Sequence, residues 1–201
     1  MKIVGICGSL RQTSYTRMAL KLALRGAEEA GAETQLIDLR DYQLSFCDGG
    51  DSDGVPKDVA RLCEDVKRAQ GVVLATPEYH GGYSGVLKNA LDLMGFDEFE
   101  GKMIGLVGVS GGSMGAFGAL AGLRSVGRAL HAWVVPEQAA VANVDEVFDD
   151  NGNCKDEAIA KRLKAVGRQV AKFAGLHNSE QARTFLELWE AATINPGGED
   201  R

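Results

Sequence analysis

Five short apolar runs, each followed by turn residues and then by a stretch with helical spacing, leave this chain few ways to fold. Met1 to Cys7, Thr34 to Leu39, Gly71 to Thr76 and Met103 to Val109 read as strands. His131 to Val141 reads as a fifth, interrupted by Pro136. Both Met1 to Cys7 and Gly71 to Thr76 are apolar almost without alternation, which suits strands buried on both faces. Between the strands, Tyr15 to Ala30 carries Tyr15, Met18, Ala19, Leu22 and Ala23 on one helical face and stops at Gly31. Lys57 to Gln70, Ser84 to Met94 and Met114 to Leu130 also read as helices. Ile159, Leu163, Val166, Val170 and Phe173 form the stripe of a helix laid over a sheet. A short helix is expected near Ser179 to Ala191. Arg40 to Pro56, rich in Asp and Gly, reads as a long exposed loop of the kind that often carries function. The alternation predicts an α/β fold, a five-stranded parallel sheet with helices on both faces. It forms one domain over residues 1–192, followed by a polar tail at 193–201.

Charge and cysteine usage narrow the function. The chain has 201 residues, 45% of them apolar, and a net charge of -6, which argues against a bulk electrostatic grip on nucleic acid. Cys7, Cys47, Cys63 and Cys154 are scattered and contain no C-x-x-C pair, so neither a metal site nor a dithiol motif is expected. They read as free thiols of a cytoplasmic protein. The apolar N-terminus ends in turn residues and Arg11 without a cleavage-like site, and no stretch is long enough to span a bilayer.

For a parallel sheet with helices on both faces, any ligand is expected at the carboxyl ends of the strands, and three turns there carry the chemistry. The first is Gly8-Ser9-Leu10-Arg11-Gln12-Thr13-Ser14, where glycine exposes backbone N–H groups, two serines offer hydroxyls and Arg11 offers a forked positive charge. A helix N-terminus follows, so the loop has the makings of a phosphate cradle. A plain helix cap accounts for one hydroxyl but not for the arginine and the second serine. The second turn, Thr76-Pro77-Glu78-Tyr79-His80-Gly81-Gly82-Tyr83-Ser84, presents N–H groups and an aromatic face. The third, Ser110-Gly111-Gly112-Ser113-Met114-Gly115, lets peptide groups approach a flat polar ring. Three such loops on one rim favour a pocket.

Gly8-Ser9-Leu10-Arg11-x-x-Ser14, Pro77-Glu78-Tyr79, Ser84-Gly85-x-Leu87-Lys88-Asn89-Ala90-x-Asp92 and Ser110-Gly111-Gly112 together resemble the NADPH-dependent FMN reductase family of flavodoxin-like flavoproteins. The resemblance runs from the first strand to the helix ending near Phe173. It implies a flavodoxin-like fold with FMN and NADPH (or NADH) as cofactors. It also implies FMN-binding residues: Ser9, Arg11, Ser14, Tyr15 and Thr16 in the first loop, then Pro77, Glu78, Tyr79, His80, Ser110, Gly111 and Gly112 around the isoalloxazine ring. Thr16 and His80 stand where many members carry asparagine; Thr16 keeps a donor, whereas His80 bears on which acceptor fits. The implied reaction passes hydride from NAD(P)H through bound FMN to a small-molecule acceptor such as a flavin or quinone, by a ping-pong mechanism. Position and field do the work and no side chain is assigned a catalytic role.

Two other functions fit parts of the same sequence. Gly108-Val109-Ser110-Gly111-Gly112 matches the G-x-S-x-G elbow of a serine hydrolase, with His80-Gly81-Gly82 upstream, Asp145 or Asp149, and His177 in the required order. That reading leaves the first loop and Pro77-Glu78-Tyr79 without a role. A non-catalytic flavodoxin-type electron carrier is the other. A phosphatase built on Cys7 fails on spacing, since Arg11 stands at the wrong offset and Thr13 where the arginine belongs. Ala116, Ala119, Leu120, Leu123, Val126 and Leu130 give the fourth helix an apolar stripe that either the sheet or a second copy would cover. The family resemblance implies a homodimer or homotetramer.

Overall fold

In the computed structural model, which describes residues 1–49, 55–149 and 151–191, the five apolar runs form one parallel sheet. The polar tail expected at 193–201 lies outside the described residues. The elements in chain order begin β1 (Lys2–Cys7), α1 (Tyr15–Glu28), β2 (Glu33–Asp38), α2 (Lys57–Lys67), β3 (Gly71–Tyr79), β4 (Gly82–Tyr83) and α3 (Gly85–Asp92). They continue with α4 (Phe96–Phe99), β5 (Met103–Val109), α5 (Phe117–Ala129), β6 (Trp133–Val141), α6 (Val144–Val147), α7 (Glu157–His177) and α8 (Glu180–Glu190). The strand order is β2-β1-β3-β5-β6, and β4 folds back antiparallel on β3.

Side-chain alternation along strands buried on both sides builds two cores. Ile3, Cys7, Val73, Ala75 and Val107 face α1 and α7, while Val4, Ile6, Val72, Leu74, Ile104 and Leu106 face α2, α3 and α5. Ser14 caps α1 by accepting the Arg17 N–H, and Asp156 caps α7 by accepting those of Ala158 and Ile159. α1 and α7 cross where both lack side chains. A Cβ at Gly26 would run into the Lys164 backbone, and one at Gly167 into the Ala23 carbonyl oxygen.

Several boundaries differ from the sequence expectation. β3 continues past Thr76 because Pro77 still pairs with Val109 of β5, and the chain then turns into β4. α5 starts at Phe117 rather than Met114, since Gly115 at φ +67° cannot belong to a helix. Pro136 does not break β6 but is carried in an irregularity of that edge strand, where Val135 to Glu137 stand opposite Gly105. The α5 stripe is used inside the fold: Ala116, Ala119, Leu120 and Leu123 are fully buried, and Val126 and Leu130 pack on the same core.

Candidate functional site

Cys7, Tyr79 and Val109 end the adjacent parallel strands β1, β3 and β5, with β3 reaching furthest, so the three loops leave the sheet at one rim. Gly8 is pinned there. Its N–H donates to the Ala75 carbonyl at 2.8 Å, its carbonyl accepts from Ser84 Oγ at 2.6 Å, and a Cβ would stand 2.7 Å from that of Leu87. Only glycine fits that approach. Ser9, Ser14 and Thr16 are buried, with Ser9 Oγ accepting the Arg11 N–H at 3.4 Å and Ser14 Oγ accepting that of Arg17 at 3.2 Å. The Arg11 side chain is exposed, and its guanidinium makes no hydrogen bond or ion pair with any described residue.

In the second loop, the Glu78 carboxylate accepts the Ala119 N–H at 2.9 Å, near the start of α5. His80 (φ 51°) and Gly81 (φ 76°) are the two linking residues between β3 and β4, both left-handed. That is the turn which favours Asn-Gly, and histidine is among the residues that tolerate the conformation. The histidine therefore stands where asparagine is common because both suit the backbone. In the third loop, the Ser110 N–H donates to the Val141 carbonyl at 2.9 Å. Ser110 Oγ accepts the Gly112 N–H at 3.1 Å, and its carbonyl accepts that of Val144 at 3.1 Å.

A small crevice of about 70 Å³ opens at this rim. Of the residues singled out from sequence, Ser9, Arg11, Ser14, Tyr15, Thr16, Pro77, Glu78, Tyr79, Ser110 and Gly111 line it. His80 and Gly112 do not: His80 is exposed at the hairpin tip, and Gly112 bends back onto Ser110. Val109 and Val144 join the lining unforeseen. Val109 is the last residue of its strand, but α6, which carries Val144, has too few residues to show a period.

Tyr79 is also a wall of a second, apolar cavity of about 450 Å³ with Leu10, Leu39, Tyr42, Leu44, Phe46 and Val86. The stretch after Leu39 is fastened rather than loose. Tyr42 donates to Asp65 at 3.2 Å under the Arg61 guanidinium, and Gln43 N–H donates to Asp58 at 2.7 Å. The Asn89 amide holds the Ser45 carbonyl and the Cys47 N–H. This part of the loop expected at Arg40 to Pro56 therefore shapes a preformed pocket.

The hydrolase elbow does not assemble. Ser110 follows the carboxyl end of β5, whereas His177 packs on Trp133 and lies against Gly101, at the amino ends of β5 and β6, on the order of 20 Å along the strand. Asp149 is engaged by Asn153. Burial pushes the Cys7 thiol up, the opposite of what a thiolate nucleophile requires. Among the described residues, no group of three or more His, Cys, Asp or Glu is placed to hold a metal ion, and no helix is long and apolar enough to cross a membrane.

Residues 1–146 match the family model for NADPH-dependent FMN reductase. An FMN-dependent NADPH-azoreductase of Staphylococcus aureus is 31% identical over 179 residues, covering 86% of this chain and 95% of that protein. The flavoenzyme NAD(P)H:(acceptor) oxidoreductase FerB of Paracoccus denitrificans superposes with a TM-score of 0.71 at 26% identity, over 88% of this chain and 98% of that one. An oxidoreductase from Corynebacterium diphtheriae gives the same TM-score at 18% identity over 89% and 98% of the two chains, a likeness of fold alone.

Proposed function

The chain belongs to the NADPH-dependent FMN reductase family and is an FMN-dependent oxidoreductase drawing on NAD(P)H; from that premise we propose where it holds FMN and what it reduces. The observation that carries the proposal is the Arg11 guanidinium, without a partner among the described residues, beside three buried hydroxyls in the loop that leads into α1 and in the first turn of that helix. This donor set suits a phosphate monoester: Ser9, Ser14 and Thr16 donate hydroxyl hydrogens, Arg11 offers two parallel N–H bonds, and the helix end adds partial positive charge. The crevice is sized for that group, so the ring would lie on the open rim between Tyr79 and the Ser110-Gly111 turn. When bound, FMN supplies two-electron hydride chemistry.

Tyr79, half-exposed, lines both the rim and the apolar cavity, so the two adjoin at its ring. The Gly111 N–H, flanked by the Ser110 and Gly112 N–H groups that are bonded to the Val141 carbonyl and Ser110 Oγ, bears on the polar edge of a ring placed there and favours negative charge on it. Nicotinamide and acceptor use the same open face in turn, which gives ping-pong kinetics. The apolar cavity favours a flat, uncharged acceptor such as a quinone over a hydrated metal ion. Assembly as a homodimer or homotetramer belongs to the same reading. It draws support not from the α5 stripe but from Phe185, Leu188 and Trp189, exposed on α8. A cytoplasmic setting is supported by the four free cysteines.

Initial rates with NADPH and a naphthoquinone, varied together, test this reading. Parallel double-reciprocal lines are expected, with a KM for the naphthoquinone that rises in Leu44→Asp while turnover with ferricyanide does not change. Intersecting lines would overturn alternating use of one face, and an unchanged KM would overturn the apolar cavity as acceptor site.

A further inference from the structure

Arg17 lies one turn into α1, directly behind the first loop, with a side chain only 11% exposed. Its Nε donates to Asp38 Oδ2 at 2.6 Å and its Nη2 to Asp38 Oδ1 at 3.4 Å. The remaining bonds all go to loop carbonyls: Nη1 to Gln12 at 3.2 Å, and Nη2 to Arg11 at 3.2 Å and Ser9 at 3.5 Å. Three carbonyls within four successive residues therefore face one buried guanidinium. Peptide units are planar and trans, and no cis bond occurs among the described residues, so each carbonyl fixes the next N–H in the opposite direction. The N–H groups of Leu10, Gln12 and Thr13 are thereby turned away from Arg17.

Asp38 ends β2, pairs in register with Cys7 and is 6% exposed, so it anchors Arg17 at the rim itself. Arg40 grips the same carboxylate, with Nη2 to Oδ2 at 2.8 Å. Two arginines follow the first strand within ten residues, and the structure divides their work. Arg17 is held by Asp38, shared with Arg40, and by the loop carbonyls, whereas the Arg11 guanidinium has no such partner among the described residues.

We infer that Arg17, anchored by Asp38, is a positioning residue that holds the first loop in its anion-accepting shape by drawing the carbonyls of Ser9, Arg11 and Gln12 to the side opposite its N–H groups. The inference rests on the phosphate reading of that loop. Without the guanidinium, three carbonyl oxygens are released to rotate toward the crevice, where they would repel a phosphate. Arg17 thus serves phosphate binding without offering its own charge to the ligand.

Titrations of wild type, Arg17→Gln, Arg17→Lys and Asp38→Asn with FMN and with riboflavin test this, with circular dichroism confirming the fold. Arg17→Gln is expected to weaken FMN by about ten- to a hundredfold, the scale of one charge-assisted hydrogen bond, and riboflavin by less than about twofold. Lysine should recover part of the loss, since an ammonium still offers three hydrogens. Asp38→Asn gives the sharpest sign. If Arg17 acts through its anchor, removing that negative charge weakens FMN; if Arg17 acts as a plain charge on the phosphate, the same change tightens it. Tighter FMN binding in Asp38→Asn, or equal losses of FMN and riboflavin in Arg17→Gln, would overturn the inference. Wild type that binds riboflavin as tightly as FMN would overturn the phosphate reading itself, and the role of Arg17 with it. Misfolding of Arg17→Gln leaves Arg17→Lys and Asp38→Asn to decide.

Discussion

Glu78 and Ala119 are joined across 41 residues by one hydrogen bond, from the Ala119 N–H to Glu78 Oε2 at 2.9 Å. A residue chosen from the sequence as a flank for the flavin ring thus caps the helix that covers β5 and β6, and ties the second loop to it. α5 has no other side-chain cap, because its own N-cap is Ala116. Glu78→Ala should therefore cost about 1 kcal/mol, the usual worth of a cap, or a melting temperature lower by roughly 2–4 °C. Glu78→Gln keeps an acceptor oxygen and should retain most of the stability. Calorimetry that finds both variants equal to wild type would show that the bond is idle.

Gly167 makes a stronger demand. A Cβ there meets the Ala23 carbonyl oxygen, and backbone cannot move aside as a flexible side chain can. Gly167→Ala raises helix propensity by up to about 1 kcal/mol, yet should destabilise the protein by about 3 kcal/mol or more as α1 and α7 are forced apart. A urea midpoint equal to or above that of wild type would mean that the helices do not cross at this glycine.

The left-handed turn at His80 separates conformation from recognition. His80→Asn should leave stability unchanged or slightly higher, and His80→Val should lose about 1–2 kcal/mol, the cost of a left-handed non-glycine residue with a branched side chain. Since His80 does not line the crevice, relative rates with a quinone and ferricyanide should be the same in His80→Asn as in wild type. A changed acceptor preference in that variant would restore the histidine to the site.

Acid sensitivity follows from Asp38. Burial alone would push its carboxyl up, but hydrogen bonds from Arg40 and Arg17 outweigh it and hold the group below the usual carboxylate range. The stability it contributes is complete above the unfolded value of about 3.9 and is lost as pH falls through the depressed folded value. Urea midpoints measured from pH 6 down to pH 2.5 should fall less steeply for Asp38→Asn than for wild type. Identical slopes would contradict the pairing.

What could be read from the sequence depended on the range of the signal. β1, β3 and β5 are buried on both sides, so composition alone marked them, and the glycine-bearing turns marked the rim where they end. β4 has two residues and exists only through the His80-Gly81 turn, so no period could reveal it. Arg17 is anchored by a carboxylate 21 positions away, and within its own helix it looks like any surface arginine. Gly26 and Gly167 look like flaws in their helices until the crossing is seen. The α5 stripe was ambiguous for a plain reason: a sheet below and a second subunit beside it select the same small apolar residues.

The central claim, that the first loop grips the phosphate of FMN through Arg11, is tested most directly by titrating wild type and Arg11→Ala with FMN and riboflavin and following fluorescence quenching. Loss of one forked, charge-assisted contact should weaken FMN by about ten- to a hundredfold and leave riboflavin nearly untouched. Unchanged FMN affinity in Arg11→Ala, or an equal loss for both ligands, would contradict it.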